Sequence, residues 1–237
     1  MEKRCVIDFH SHILPQIDDG SKNKETTIAM LAMAKEQQVD IMVATPHFYA
    51  DVMSIQRFLE ERTEAYNGIK EQLDSTGPKI LLGAEVAFFD GISKADAIEE
   101  LTIEGTDLLL LEMPFAEWKE SQIKEVERLV RERKKRVMLA HIERYFFIRS
   151  NKRLLKRLLE LPVIVQINAE DLSERKLQKR ILKMFAADRP CVMGSDCHSL
   201  HRRPPNLQEG RNVIAEKLGD AALYRIDEVG KKLICPT

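Results

Sequence analysis

The sequence predicts an α/β fold whose single parallel sheet closes into a barrel, on three observations. Seven short apolar segments recur along the 237-residue chain, and most are followed by a segment with helical amphipathic spacing. Several of the seven show no polar alternation, the pattern of strands covered on both faces. No Gly-rich dinucleotide turn follows the first of them, which favours a closed barrel over a doubly wound sheet. Such barrels run to about 250 residues as one unit, so a single domain over residues 1–237 is expected.

Taken in order, the strand segments are Cys5–Phe9, Ile41–Thr45, Ile80–Gly83, Asp107–Leu111, Val137–Ala140, Val163–Ile167 and Cys191–Met193. Helices are expected between them at 24–38 and 54–74. Three more are marked by apolar stripes of three-and-four spacing. These are Ile123, Val126, Leu129 and Val130; Leu154, Leu155, Leu158 and Leu159; and Leu177, Ile181, Met184 and Phe185. A late helix is expected at 206–218.

Composition narrows the function. Hydrophobic residues at 44% and charged residues at 32% suit a globular protein with a substantial core. A formal charge of −1 gives no general pull toward nucleic acid or anionic lipid. The basic runs at 131–136 and 152–157 lie within amphipathic patterns and read as solvated helix faces, so no nucleic-acid partner is expected. The four cysteines, at 5, 191, 197 and 235, form no CxxC pair, which suits a reduced, cytoplasmic setting. No run approaches the ~18 apolar residues of a membrane span, and no membrane insertion is expected.

In a barrel, chemistry sits at the carboxyl ends of the strands. The metal-capable residues fall there. The first strand ends in Asp8-Phe9-His10-Ser11-His12, with Asp18-Asp19-Gly20 soon after. The second ends in Thr45-Pro46-His47, the third in Gly83-Ala84-Glu85, the fourth in Leu111-Glu112, the fifth in Ala140-His141 and the seventh in Ser195-Asp196-Cys197-His198. Alternate residues on an extended backbone point the same way, so His10 and His12 can reach one ion, and Asp196 and His198 repeat the device. Imidazoles mixed with carboxylates suit Zn²⁺, Mn²⁺ or Fe²⁺.

The runs HSHILPxIDDG, ATPH, GAE, LLEMPF, AHIERY and GSDCHSLxxRPP cover nearly the whole chain. In that order they resemble the PHP (polymerase and histidinol phosphatase) superfamily, most closely its bacterial metal-dependent tyrosine phosphatases of capsule and exopolysaccharide synthesis. The resemblance implies a distorted (βα)7 TIM-like barrel with three divalent ions, Mn²⁺ being the family-like choice. It places His10, His12, Glu85 and Asp196 on one ion. Glu85, Glu112 and His141 fall on a second, and Asp19, His47 and His198 on a third. Either acid of the Asp18-Asp19 pair could serve, and Asp19 is chosen by its match to the family pattern.

The chemistry then expected is attack on phosphorus by a metal-bridging hydroxide, with no phosphocysteine. Phosphoryl oxygens left off the metals need forked cationic donors. Arg144 and Arg203 stand where the superfamily that this chain resembles places such arginines, with Arg202 an equally near alternative to Arg203. Phe48, Tyr49, Tyr145 and Phe146 are candidates for an aromatic wall, and His201 is read as a surface residue. Cys197 to Arg203 has the C-x₅-R spacing of cysteine-dependent phosphatases, but the loop has no glycine and Asp196 opposes a thiolate. The resemblance implies a phosphotyrosine protein as substrate, with a polysaccharide-assembly tyrosine kinase as partner. A histidinol-phosphatase-like enzyme and a non-catalytic docking partner of that kinase are the alternatives.

Overall fold

The computed structural model describes residues 4–187 and 189–234; Cys235 lies outside them. In chain order the elements are β1 (Ile7–Ser11), α1 (Lys24–Glu36), β2 (Ile41–Ala44), β3 (His47–Phe48), α2 (Ile55–Lys70), β4 (Lys79–Leu82) and β5 (Glu85–Ala87). There follow β6 (Leu108–Glu112), α3 (Glu120–Arg131), β7 (Arg136–Leu139), α4 (Lys152–Glu160) and β8 (Ile164–Asn168). The chain continues through α5 (Arg175–Ala186), β9 (Cys191–Gly194), α6 (Leu207–Leu218) and α7 (Asp220–Ile234). Asn23 and Ser54 cap α1 and α2, their side-chain oxygens accepting from the amides of Thr26 and Arg57. Between β5 and β6 the chain makes two short 3₁₀ turns, Ile92–Lys94 and Ile98–Leu101.

All strand pairing is parallel, in one run β1-β2-β4 and a second β3-β5-β6-β7-β8-β9. The two runs are one sheet with two interrupted strands. Pro46 breaks β2 from β3, having no N–H to give, and Gly83-Ala84 breaks β4 from β5. Pairing carries across the gap, since Gly83 donates its N–H to Ala44 at 2.8 Å and Glu85 donates to Pro46 at 3.0 Å. The barrel closes where Ser11 bridges Cys197, with Asp196 donating to His10 at 2.7 Å and His12 to Cys197 at 2.9 Å. The seven expected strands therefore form one distorted parallel barrel.

The interior is packed with Ile7, Phe9, Val43, Leu110, Met138 and Val192. Strict alternation after Phe9 would turn His10 outward. The pairing of β1 with β2 slips instead, with Asp8 opposite Met42 but Ser11 opposite Ala44. This one-residue bulge re-aims His10 and His12 toward the axis, where His10 reaches Gln166 of β8.

The far end of the barrel is stoppered by α7, which the sequence reading does not anticipate. Its Leu233 and Ile234 join the interior cluster, and Arg136 at the start of β7 donates to the Leu233 carbonyl at 3.1 Å. Gly230 lets the helix approach, since a Cβ there would stand 3.0 Å from the Phe9 ring. A buried fork between Arg211 of α6 and Asp227 of α7, at 2.6 and 2.9 Å, clamps the two helices together. Among the described residues, no helix is long and apolar enough to cross a membrane.

Candidate metal centre

Glu85, at the start of β5 and 1% exposed, is the hub. Its Oε2 lies 3.1 Å from His10 Nε2, 3.3 Å from His12 Nε2 and 3.0 Å from His47 Nδ1, while Oε1 lies 2.9 Å from His141 Nε2. Oε2 nevertheless has no partner in hydrogen-bonding geometry, and neither does His47 Nδ1. The atoms are close but not aimed at one another. Two donors bonded at about 2.1 Å to one divalent ion stand roughly 3.0–3.4 Å apart at octahedral to tetrahedral angles. The spacings around Oε2 match that edge, so the donor set fits a metal centre.

The histidines are held in the matching tautomer. His10 Nδ1 meets the Gln166 carbonyl oxygen at 3.0 Å, His12 Nδ1 meets Asp18 at 2.7 Å, and His198 Nδ1 meets the Asp196 carbonyl at 2.9 Å. Each Nδ1–H donates to an oxygen, which turns Nε2 toward the centre; on His198 that nitrogen also accepts from Arg203 at 3.1 Å. Burial and the positive neighbours His12 and Arg203 lower His198 to about 4, keeping it neutral. Burial opposes a charge on His12, but Asp18, Asp196 and Glu85 outweigh it and raise its pKa well above the usual range.

Asp18 and Asp19 separate cleanly by position. Asp18 accepts from His12, from the Gly20 amide at 2.9 Å and from the His47 amide at 3.0 Å. Burial works against its charge, yet His12 and these amides bring it down to about 2. It holds the His12 ring from behind. Asp19 faces outward, with its Oδ1 at 3.5 Å from His47 Nε2 and 3.4 Å from His198 Nε2. The pair needs Gly20, because a Cβ there would lie 2.2 Å from the His12 carbonyl oxygen.

All nine expected metal ligands are brought to this one rim. Three groups have donor atoms close enough to share an ion: His12, Asp19, His47 and His198; His10, His12 and Glu85; and His47, Glu85 and Glu112. Asp196 Oδ1 adds to the second, 3.6 Å from His10 and 3.4 Å from His12. His141 stands 3.4 Å from Glu112 and so adjoins the third. The grouping differs from the family-derived one in that His12 and His47 each adjoin two clusters. His141 and Asp196 hold left-handed backbone, φ 29° and 52°, a strain of roughly 1–3 kcal/mol each that clusters at functional sites.

Both expected arginines converge on Asp196. Arg144 donates to its Oδ2 at 2.7 Å, and Arg203 pairs with the same oxygen and with His198 Nε2. Each is about a third exposed, facing the mouth. Arg202 and His201 point into solvent. Cys197 is fully buried, and burial together with Asp8 and Asp196 pushes its thiol far up. Cys197→Ser is therefore expected to retain most hydrolytic activity in a p-nitrophenyl phosphate assay; a loss as complete as that of His10→Ala would restore the cysteine mechanism.

Of the aromatic candidates only Tyr49 faces the site. Its ring stacks on His47 at 5.4 Å, and burial with nearby Glu112 and Glu85 pushes its hydroxyl up to about 12. Phe48 is core against Phe58, Tyr145 is buried with its hydroxyl on the Met113 carbonyl, and Phe146 lies under Arg180. Their side chains alternate inward or are claimed by neighbouring elements. Phe115, missed in the sequence, takes the wall position instead, stacked on His141 at 5.6 Å and 54% exposed.

Gln166 and Asn168 were also missed. Gln166 Oε1 accepts from His10 and from the His141 amide, its Nε2 donates to Asn168, and Asn168 Nδ2 donates to Asp196 Oδ2 at 2.8 Å. The available signal was two amides at alternate positions in the otherwise apolar run VIVQIN. Gln166→Ala is expected to weaken metal binding by about 10- to 100-fold, the usual cost of removing a ligand's support. Chelator competition measures it, and an unchanged affinity would remove Gln166 from the centre.

A family model described as "Capsular polysaccharide synthesis, CpsB/CapC" matches residues 6–230. The chain is 28% identical to the tyrosine-protein phosphatase CpsB of Streptococcus pneumoniae, over 90% of this chain and 91% of that one. It is 27% identical to the tyrosine-protein phosphatase YwqE of Bacillus subtilis (strain 168), over 97% and 91%. A crystal structure from work on YwqE and CpsB, described there as unique metal-dependent tyrosine phosphatases, superposes with a TM-score of 0.80 at 25% identity, covering 97% of this chain and 94% of that one.

Proposed function

The chain belongs to the CpsB/CapC family of capsular polysaccharide synthesis, and from that premise we propose that it is a metal-dependent protein tyrosine phosphatase controlling capsular or exopolysaccharide assembly. The observation that carries the reading is Glu85, a buried carboxylate ringed by four histidine nitrogens within 3.3 Å. The ligands proposed are His10, His12, Asp19, His47, Glu85, Glu112, His141, Asp196 and His198, holding three divalent ions, with Mn²⁺ ahead of Zn²⁺ or Fe.

Closely held divalent ions lower the pKa of a bound water and clamp the oxygens of an in-line displacement. The chain's own groups do the rest. Arg144 and Arg203 each use part of a five-donor guanidinium on Asp196, which leaves N–H groups at the mouth for phosphoryl oxygens. Asn168 and the two arginines occupy Asp196 Oδ2 and turn its Oδ1 toward the histidines. With Cys197 buried, hydrolysis proceeds without a phosphocysteine.

The substrate proposed is a phosphotyrosine protein in the cytoplasm, a polysaccharide-assembly tyrosine kinase being the family-like candidate. Metal analysis with a p-nitrophenyl phosphate assay tests the reading. Activity should vanish on chelation and return with Mn²⁺, and a phosphotyrosyl peptide should be turned over in preference to histidinol phosphate. Preference for histidinol phosphate would make the enzyme a small-metabolite phosphatase. Metal binding with no hydrolysis of either would make it a docking protein.

A further inference from the structure

We propose that Tyr49 and Phe115 form the two walls of a slot that selects aryl over alkyl phosphate esters. The inference rests on the phosphatase reading for its phosphate site, and assigns the organic half of the substrate to two named rings.

Each ring is anchored on a histidine that touches Glu85, and the two histidines approach different oxygens of that carboxylate. Tyr49 stacks on His47, which faces Oε2, and Phe115 stacks on His141, which faces Oε1. Each ring thus reaches the centre through a different histidine and a different oxygen of Glu85. Both stay open to solvent, at 40% and 54% exposure, unlike the fully buried Phe48 and Tyr145.

Phe115 does not stand alone. It lies against Tyr145 at 5.1 Å and 21°, and Tyr145 is backed by Trp118 at 5.1 Å and tied by its hydroxyl to the Met113 carbonyl. Stacked on both His141 and Tyr145, Phe115 nevertheless leaves 54% of its surface open. A phenolic ester held by its phosphate above Glu85 offers a flat, weakly polar ring to both walls, and offset or edge-on contacts follow. An alkyl ester has no such face. Tyr49→Ala and Phe115→Ala should therefore each cut the preference for aryl ligands by roughly two- to tenfold.

The test uses binding as well as turnover. Affinities of phenylphosphonate and ethylphosphonate for the Mn²⁺-loaded protein are measured by titration calorimetry. Turnover of phenyl phosphate and ethyl phosphate is measured alongside. Wild-type protein should prefer phenylphosphonate. The preference should fall in Tyr49→Ala and Phe115→Ala and survive in Tyr49→Phe and Phe115→Tyr. Equal affinity of wild type for the two phosphonates overturns the proposal. So does an equal loss for both ligands in the alanine variants, which would make the rings mere props for His47 and His141. Ring-selective binding without hydrolysis of either ester would uphold the slot while sinking the phosphatase reading.

Discussion

Glu85→Gln is expected to lower p-nitrophenyl phosphate hydrolysis by about three orders of magnitude, since metal charge stabilisation of several kcal/mol is at stake. The substitution keeps the shape and removes the charge. Four histidine nitrogens lie within 3.3 Å of this carboxylate, and no other described residue adjoins all of them. Lone pairs crowded this closely are stabilised by cations among them, and protonated rings by the carboxylate. His10 and His12 Nε2 stand 3.1 Å apart. The variant should also lose metal-dependent thermal stabilisation, because ligand binding raises stability only through the folded state. A variant that kept full metal content and activity would show that Glu85 merely fills space.

Arg203→Ala and Arg144→Ala are each expected to reduce kcat by about 10²- to 10³-fold, the usual cost of losing one preorganised donor to developing charge. Arg203→Lys should not recover it, since a point ammonium cannot span Asp196 and a phosphoryl oxygen as a planar fork does. Because both arginines grip the same Oδ2 of Asp196, the double variant should lose less than the product of the single losses. Arg202→Ala, at an exposed side chain, serves as the control. Steady-state kinetics decide, and equal losses at 202 and 203 would mean a diffuse electrostatic effect.

The sequence made the strand order legible because buried parallel strands leave unalternated apolar runs, and because strand ends bear the chemistry in barrels. Thus His10, His47, Glu85, Glu112, His141 and Asp196 are legible as one rim from the chain alone. Three things lay beyond that reach. The bulge between Asp8 and Ser11 is a matter of pairing register, to which composition is blind. The breaks at Pro46 and Gly83-Ala84 split two expected strands without changing their neighbours. α7 escaped because the strand–helix alternation allots one helix to each strand, and a second after β9 falls outside the repeat, with Gly230 further blurring its pattern. In the site, Gln166 and Asn168 went unread because imidazoles and carboxylates carry the ligand pattern, and these two amides sit behind such groups. Only the structure shows them holding His10 and Asp196.

The closure of the barrel also sets a schedule for biosynthesis. His10 and His12 emerge from the ribosome well before Asp196 and His198, which follow β9 and its first residue Cys191. Their backbone links to β1 complete the ring. A nascent chain lacking that last strand has neither the seam nor two of the nine proposed donors, so capture of cations by the proposed centre would wait until β9 has been made. Fragments released before β9 would lack the seam that the proposed centre needs.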